Sequence, residues 1–314
     1  MRAMLLPFEL GVESVRRLLK RHLRRFYERI VPPNKILENP YISGKKLLPL
    51  GNERGFYIIP NHRPSGPPRA ADAFPVPPRE LWEGYGTTPE EHLALGREHV
   101  ESLARILREA GAEPESYERV LDFGCAAGRM LRFFPHTPGQ TELWGIDLKA
   151  TTIAWCQQNL TPEFHFATNT TTPHLPFEDK HFDLIYCGSV FTHISDLPDA
   201  WFLELRRVLK QKGLLYVTVN DKHTAEIVFA KYDQTHPTRG WYIRMLDRLN
   251  RETSIFKQDF GCFAFEGGQW GGFPVPQVYY DREFLLRRWS LWMDVVSVTP
   301  EAYDVQTGIL LRKN

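Results

Sequence analysis

The stretch Val120-Leu121-Asp122-Phe123-Gly124-Cys125-Ala126-Ala127-Gly128-Arg129 decides the fold of this 314-residue chain. Its apolar first half favours a strand, a glycine-rich turn follows, and a helix is predicted near residues 129–134. Glycines in such a turn let a ligand approach the backbone closely, and a helix N-terminus favours a negatively charged group. The stretch therefore predicts a ligand site at the end of a buried strand.

Around this turn, strand-like and helical segments alternate along the chain. Thr88-Pro89-Glu90-Glu91 has the pattern of a capping box and predicts a helix that Gly111 ends. The alternation that follows is typical of an α/β fold, namely a doubly wound (Rossmann-like), mostly parallel seven-stranded sheet with helices on both faces. Strands are predicted at 119–123, 142–147, 163–167, 182–187, 214–219, 293–298 and 306–311, and helices at 129–134, 149–159 and 198–210.

The formal net charge of +1 is the sum of two opposed parts. Residues 1–79 have a net charge of +9 and hold 12 of the 24 prolines, whereas residues 80–314 have a net charge of −8. Within the first part, apolar residues at three- or four-residue spacing predict a basic amphipathic helix over 10–31. The composition thus predicts a helical, Pro-rich N-terminal arm over 1–79 and a folded domain over 80–314.

Several classes of protein are disfavoured by composition. No run of about 18 apolar residues predicts a transmembrane helix, and the apolar stretch after Met1 is too short for a secretory signal. The cysteines form no CxxC pair, so no metal site is predicted, and so few in a long chain are typical of reduced thiols. We therefore expect a cytoplasmic protein. The cysteines are Cys125, Cys156, Cys187 and Cys262.

The spacing of the turn separates two classes of nucleotide cofactor. A dinucleotide site needs G-x-G-x-x-G, but here Ala126 and Arg129 stand at the second and third glycine positions. Asp122 would repel a pyrophosphate and could meet the ammonium of an amino acid. Asp147, nineteen residues beyond Gly128, is placed to bind ribose hydroxyls, or alternatively to cap the helix at 149–159.

The stretch 120–128 resembles the signature V-L-D-x-G-C-G-x-G of class I S-adenosylmethionine-dependent methyltransferases. Four later segments resemble further motifs of that family in the right order: 145–148 (GIDL), 175–185 (LPFEDKHFDLI), 189–194 (SVFTHI) and 205–213 (LRRVLKQKG). The resemblance covers residues 120–219, about a third of the chain. Ala126 departs from it at the middle glycine, and Thr168-Asn169-Thr170 replaces the common Gly-Asp.

The resemblance implies a set of cofactor-binding residues. The methionine part would be held by Asp122 and the turn that contains Gly124, Cys125, Ala126 and Gly128. The nucleoside and sulfonium would be bound by Asp147 at the ribose, Leu148 against adenine, Asn169 at the adenine amine, and Gly188 and Ser189 beside the sulfonium. The glycines have a plain alternative as a tight turn. His193 is the candidate general base, and its alternative is a packing histidine.

The reaction that this resemblance implies is metal-independent methyl transfer from S-adenosylmethionine to an O or N atom of a small-molecule or glycan-related acceptor. The alternatives are a protein methyltransferase and a non-catalytic cofactor-binding or scaffold protein. Nucleic acid is not expected as a partner, because no D/N-P-P-Y/F segment follows the fourth strand and residues 80–314 are acidic.

Two segments carry open alternatives. Residues 221–280 form an insertion rich in aromatics and glycine, which either caps an acceptor pocket or fills its own core. The basic helix at 10–31 docks on its own domain, on a second subunit, or on an anionic surface.

Overall fold

The computed structural model describes residues 73–231, 262–270 and 273–314. These parts of the chain contain nine strands and five α-helices. In chain order they are α1 (Pro89–Glu109), β1 (Arg119–Phe123), β2 (Glu142–Asp147), α2 (Ala150–Asn159), β3 (His165–Thr168), β4 (Phe182–Cys187), α3 (Pro198–Val208), β5 (Leu209–Val219), α4 (Lys222–Lys231), β6 (Cys262–Trp270), β7 (Phe273–Tyr280), α5 (Arg282–Trp289), β8 (Asp294–Tyr303) and β9 (Gln306–Arg312).

Seven of the strands form one sheet, in the order β3-β2-β1-β4-β5-β9-β8. Strands β1 to β5 pair in parallel, whereas β9 is antiparallel to both β5 and β8. The strand order reverses between β1 and β4, and in such sheets ligands bind at the carboxyl ends of the strands at that point. The predicted doubly wound, mostly parallel seven-stranded fold is confirmed.

Helices cover both faces of this sheet, as the alternation of strands and helices along the chain predicts. In β1, Leu121 and Phe123 face one apolar core together with α3 and α5, whereas Val120 faces a second core together with α1 and α2. A strand buried on both faces reads as a continuous apolar run. This explains why Asp122, the one polar residue in 120–123, is conspicuous in the sequence.

Helix α1 begins where its capping residues predict. The Thr88 side chain accepts a hydrogen bond from the Glu91 backbone N–H at 3.2 Å, and Pro89 occupies the first helical position. Gly96 lies on the face of α1 that meets the glycine-rich turn, since a Cβ there would lie 2.5 Å from the carbonyl oxygen of Arg129. The absence of a side chain at residue 96 therefore lets α1 pack directly on the turn.

The predicted helix at 129–134 is wrong. The structure has only a 3-10 turn over Leu131–Phe133. Pro135 disfavours the α conformation at Phe134, which leaves room for a single turn. No α-helix N-terminus therefore directly follows the glycine-rich turn.

The N-terminal arm and the insertion are described only in part. The helix predicted at 10–31 lies outside the described residues, but Phe74 is buried in the core beside α1. Within 221–280, β6 and β7 pair as an antiparallel hairpin, and Val278 and Tyr280 pack in the core beside α3. The domain boundary near residue 80 remains a prediction.

Among the described residues, no helix combines the length and the apolar character needed to cross a membrane.

Candidate functional site

A cavity of about 640 Å³ lies at the carboxyl ends of β1, β2 and β4, where the strand order reverses. It brings together nearly all of the residues that the sequence predicts to bind a cofactor. These are Asp122, Gly124, Cys125, Ala126, Asp147, Leu148, Asn169, Gly188 and Ser189, together with His193. Gly128 does not line the cavity; a Cβ on it would lie 2.7 Å from Leu160 Cδ1, so its role is close packing.

The glycine-rich turn has left-handed backbone at three positions. Gly124 and Gly128 have φ of +83° and +72°, and Ala126 has φ of +44°. The turn is tied to the neighbouring strand β2, because the N–H groups of Gly124 and Cys125 both donate to the Ile146 carbonyl, at 2.8 and 3.0 Å. Ala126 is therefore held in a conformation that L-residues disfavour by roughly 1–2 kcal/mol.

Asp147 ends β2 with both carboxylate oxygens engaged. Oδ2 accepts from the Ala126 N–H at 3.0 Å, and Oδ1 accepts from the Lys149 N–H at 2.8 Å. Burial raises the pKa of Asp147, and these N–H donors lower it in part. The residue that caps α2 is Lys149, which makes no side-chain capping bond, so Asp147 is not the helix cap. Each carboxylate oxygen keeps a second lone pair for a ligand hydroxyl.

Asn169 follows β3 and is 3% exposed. Its N–H donates to the Asp147 carbonyl at 3.1 Å, and its Nδ2 donates to the Thr170 carbonyl at 3.2 Å. Its Oδ1 has no partner among the residues that the structure describes. A buried amide oxygen left unpaired costs free energy, so this atom is suited to accept a hydrogen bond from a ligand amine.

Asp122 is the buried acid beside the turn, and it is 3% exposed. Burial raises the pKa of Asp122 to about 8, while the Tyr186 hydroxyl and the Arg129 charge lower it in part. A cationic ligand group next to this carboxyl would favour its ionised form.

His193 lies in a 3-10 turn after β4 and contacts the hairpin. Its Nδ1 lies 3.0 Å from the Pro276 carbonyl oxygen and 3.3 Å from Gln277 Nε2. The shorter contact, to a carbonyl that can only accept, favours the tautomer with hydrogen on Nδ1 and a basic Nε2. Burial lowers the pKa of His193, so the ring is neutral at pH 7. A contact of this kind between β7 and the turn after β4 is a feature that the sequence did not predict.

Ser189 is positioned by a closed ring of hydrogen bonds. Its N–H donates to Thr218 Oγ1 at 2.7 Å, that hydroxyl donates to Gln306 Oε1 at 2.7 Å, and Gln306 Nε2 donates back to Ser189 Oγ at 2.8 Å. The ring stabilises Ser189 at a φ of +57°. Strands β5 and β9 thus fix the backbone beside the cavity.

A loop from the N-terminal side of α1 covers the cavity. Leu81, Trp82, Glu83 and Tyr85 all line it. Glu83 Oε1 and Lys149 Nζ form an ion pair at 2.6 Å, which ties this loop to the residues after β2. Nothing in the sequence of this loop indicates a ligand, because its residues meet the cavity only through the tertiary fold.

Arg129 also lines the cavity, beside Tyr303. In the sequence, the size of Arg129 at a glycine position served only to exclude a dinucleotide cofactor. The place of Arg129 in the wall of the cavity was therefore not predicted. No group of three or more His, Cys, Asp or Glu side chains within the described parts of the chain is arranged to hold a metal ion.

Known proteins resemble parts of this chain. A family model described as a methyltransferase domain matches residues 121–217. An uncharacterized protein of Synechococcus is 29% identical over 156 residues, and one of Methanocaldococcus jannaschii is 47% identical over 49 residues. These alignments cover 47% and 16% of this chain, and only 35% and 21% of the two relatives.

Solved structures of methyltransferases share less sequence. The magnesium protoporphyrin IX methyltransferase of Synechocystis is 12% identical, with 75% of this chain and 92% of that chain covered and a TM-score of 0.47. The 1,6-didemethyltoxoflavin-N1-methyltransferase of Burkholderia thailandensis is 14% identical, with 73% and 92% covered and a TM-score of 0.44.

Residues 121–217 are thus similar to methyltransferase domains, and the strand order of the sheet is the doubly wound order that the sequence predicts. S-adenosylmethionine is the cofactor that this similarity supports.

Proposed function

We propose that this protein transfers the methyl group of S-adenosylmethionine to an O or N atom of a small-molecule or glycan-related acceptor. The observation that carries the proposal is one cavity that joins an acid for an ammonium, an acid for ribose hydroxyls and an unpaired acceptor for an amine. Asp122, Asp147 and Asn169 supply these three groups.

The residues present fit the cofactor. Asn169 Oδ1 lacks a partner among the described residues and matches the adenine amine, and the second lone pairs of Asp147 match the ribose hydroxyls. Leu148 supplies an apolar wall for adenine, while Cys125 and Ala126 belong to the turn that follows Asp122. Gly188 and Ser189 lie at the end of β4, where we place the sulfonium.

When bound, S-adenosylmethionine supplies an electrophilic methyl group. The protein must then align an acceptor atom, exclude water and, where the acceptor is protonated, remove its proton. His193 is suited to take that proton, because the Pro276 carbonyl holds it as the Nδ1–H tautomer. The loop at 81–85, tied down by Glu83 and Lys149, restricts the entry of water.

Calorimetric titration tests the cofactor assignment. We expect binding of S-adenosylmethionine and of its demethylated product, and we expect Asp147→Asn to weaken both by about tenfold or more, since hydrogen bonds to a charged group are lost. Asp294→Asn, a change at an exposed aspartate that is not among the described lining residues of the cavity, is the matched control. Failure of the unaltered protein to bind either compound would overturn the proposal.

A second experiment tests methyl transfer itself. The protein is incubated with S-adenosylmethionine that carries an isotopically labelled methyl group and a set of small-molecule and oligosaccharide acceptors. Label in one of these acceptors supports the proposal. Label in added protein alone favours a protein methyltransferase, and binding without any transfer favours a non-catalytic role.

Replacement of His193 by Gln tests the general base once an acceptor is known. Burial lowers the pKa of His193 below the ordinary histidine value of about 6.5. We therefore expect kcat/KM to rise with pH, and the midpoint of that rise to lie below about pH 6.5. The Gln variant should lose that pH dependence together with most of its turnover. Unchanged turnover across pH would remove His193 from the mechanism and leave it as a packing residue.

A further inference from the structure

Leu197 occupies a place in the cavity wall where the backbone conformation disfavours leucine. It directly precedes α3, and its backbone has φ of +57° and ψ of +38°, which is the left-handed conformation. Glycine and asparagine adopt this conformation readily, whereas other L-residues are strained in it. The next residue is Pro198, which favours extended backbone at the residue before it and so adds to the strain.

The side chain of Leu197 is also unsuited to its position in the fold. Leu197 is the N-cap residue of α3, and its carbonyl accepts a hydrogen bond from the Trp201 N–H at 3.0 Å. Leucine has no polar side-chain atom that could accept from the free N–H groups of the first turn. The residue is 61% exposed, so it gains little from burial in the core. A residue that breaks several local rules at once is expected where its side chain serves a ligand.

Leu197 lies on the part of the cavity that the cofactor assignment leaves open. Residues 193–197 follow β4 as one segment, and all five line the cavity. The groups assigned to the cofactor ammonium, ribose and adenine stand instead on β1, on β2 and directly after β3. His193, the proposed general base, must lie next to the acceptor atom, so the residues that follow it are placed to flank the acceptor.

Other side chains of the cavity wall share the apolar character of Leu197. Leu81, Val190 and Ile194 all line the cavity, and each is only partly buried by the rest of the protein. Ser195 and Asp196, in the same segment as Leu197, add polar groups beside this apolar surface. Such a combination fits a ligand that carries an apolar group next to a polar one.

We propose that Leu197 binds an apolar part of the methyl acceptor, so that the acceptor carries an alkyl or aromatic group beside the hydroxyl or amine that is methylated. This inference rests on the proposed function and narrows its acceptor class. A sugar without an apolar substituent would leave Leu197 in contact with water. Removal of this side chain from water on binding gives a gain in free energy that glycine or asparagine at residue 197 could not supply.

The experiment measures the binding of an apolar probe while the cofactor part of the cavity is filled. N-phenyl-1-naphthylamine, a neutral arylamine whose fluorescence rises in apolar surroundings, is titrated into protein saturated with S-adenosylhomocysteine, the demethylated product. The variants are Leu197→Gly and Leu197→Asn, because both residues tolerate left-handed backbone. Leu291→Asn is the matched control, since Leu291 is 73% exposed and is not among the described lining residues.

We expect the unaltered protein and Leu291→Asn to bind the probe equally well. Both Leu197 variants should bind it about three- to tenfold more weakly, because one apolar contact is lost. The affinity for S-adenosylhomocysteine should stay within about twofold in every variant. Leu197→Asn should also raise the urea midpoint of unfolding, since asparagine relieves the strain and can cap α3, whereas Leu291→Asn should not.

Four results would overturn the inference. They are no binding of the probe by the unaltered protein, unchanged probe binding in both Leu197 variants, an equal loss of affinity for the probe and for S-adenosylhomocysteine in those variants, and a lower urea midpoint in Leu197→Asn. The last two would show that Leu197 acts on the cofactor part of the cavity or supports the fold. Failure of the unaltered protein to bind S-adenosylhomocysteine would instead reject the proposed function.

Discussion

The buried carboxyl of Asp122, which we propose to bind the cofactor, lowers the stability of the folded protein. Its pKa in the folded protein is about 8, above its ordinary value near 4, so folding takes up a proton between those two pH values. The contribution of Asp122 to the free energy of unfolding therefore falls as pH rises from about 4 to about 8. This decrease in the free energy of unfolding is the cost of burying the acid that the proposed site needs.

We expect Asp122→Asn to raise the thermal midpoint of the protein without ligand, and to do so more at pH 8 than at pH 5. The same variant should bind S-adenosylmethionine at least tenfold more weakly, since the charge for the ammonium is lost. Thermal unfolding at the two pH values and calorimetric titration measure these effects. Asp294→Asn should show neither, and a destabilised Asp122→Asn at pH 8 would contradict the expectation.

Ala126 offers a stability test at the turn. Glycine at residue 126 would relieve the strain at a φ of +44°, but it would loosen the unfolded chain. We expect Ala126→Gly to increase the free energy of unfolding by up to about 1 kcal/mol, as measured by urea denaturation. The neighbouring Ala127, buried and outside the left-handed region, is the control: Ala127→Gly should destabilise. A loss of stability in both variants would show that the turn does not strain Ala126.

The sequence predicted best the cavity residues that stand at the carboxyl ends of parallel strands. Asp122 and Asp147 lie within the last two residues of β1 and β2, and Asn169 directly follows β3, so their meeting at one edge follows from the parallel sheet. Trp82, Tyr85 and Tyr303 were missed because they reach the cavity from a loop and an edge strand far away in sequence. In the sequence, Arg129 was interpreted from the size of its side chain alone. Its positive charge in the wall of the cavity became evident only from the structure.

At the scale of elements, both strands and helices were predicted unevenly. The apolar runs located β1, β2 and β4 with the predicted ends, but β5 begins five residues earlier and β8 ends five residues later than predicted. The helices predicted at 149–159 and 198–210 were found within two residues of those bounds. The helix at 129–134 failed because local apolar spacing gives no account of the restriction that Pro135 imposes on the preceding residue. The turn after β1 is therefore followed by irregular backbone, and Arg129 provides a positive charge there.

An ion pair helps to hold the loop over the cavity, and both partners are largely buried, with side-chain exposures of 9% for Glu83 and 20% for Lys149. We expect Glu83→Gln to increase the dissociation rate of the cofactor several-fold, because the loop opens more readily, with a smaller change in the association rate. Stopped-flow displacement measures both rates. Glu80→Gln, on the same segment but outside the ion pair, should leave them unchanged, and an unchanged dissociation rate in Glu83→Gln would show that the pair does not restrain release.

At the scale of the whole molecule, residues 1–79 and 80–314 carry opposite net charges. We can therefore test whether the N-terminal segment contributes to the cavity. Within the parts of the chain that the structure describes, the residues that line the cavity lie between 81 and 303. We therefore expect a chain without residues 1–72 to bind S-adenosylmethionine with an affinity within about twofold of the full chain. Loss of binding on truncation would show that the arm contributes to the site.

The same truncation distinguishes the roles proposed for the basic helix. Flotation with anionic liposomes should be lost on truncation if the helix binds a membrane surface. If the helix predicted at 10–31 instead docks on its own domain or on a second subunit, the full chain should not float. Added salt should then lower the thermal midpoint of the full chain more than that of the truncated chain.

The position of β9 has a consequence for the order of synthesis on the ribosome. The five parallel strands that hold Asp122, Asp147 and Asn169 are complete once residue 219 has emerged, but β8 and β9 are made about 80 residues later. Tyr303, which fixes Arg129, and Gln306, which fixes Ser189, both come from that late segment. A nascent chain would thus complete the parallel strands beside the cavity early, and the contacts that hold Arg129 and Ser189 in the wall of the cavity would form last.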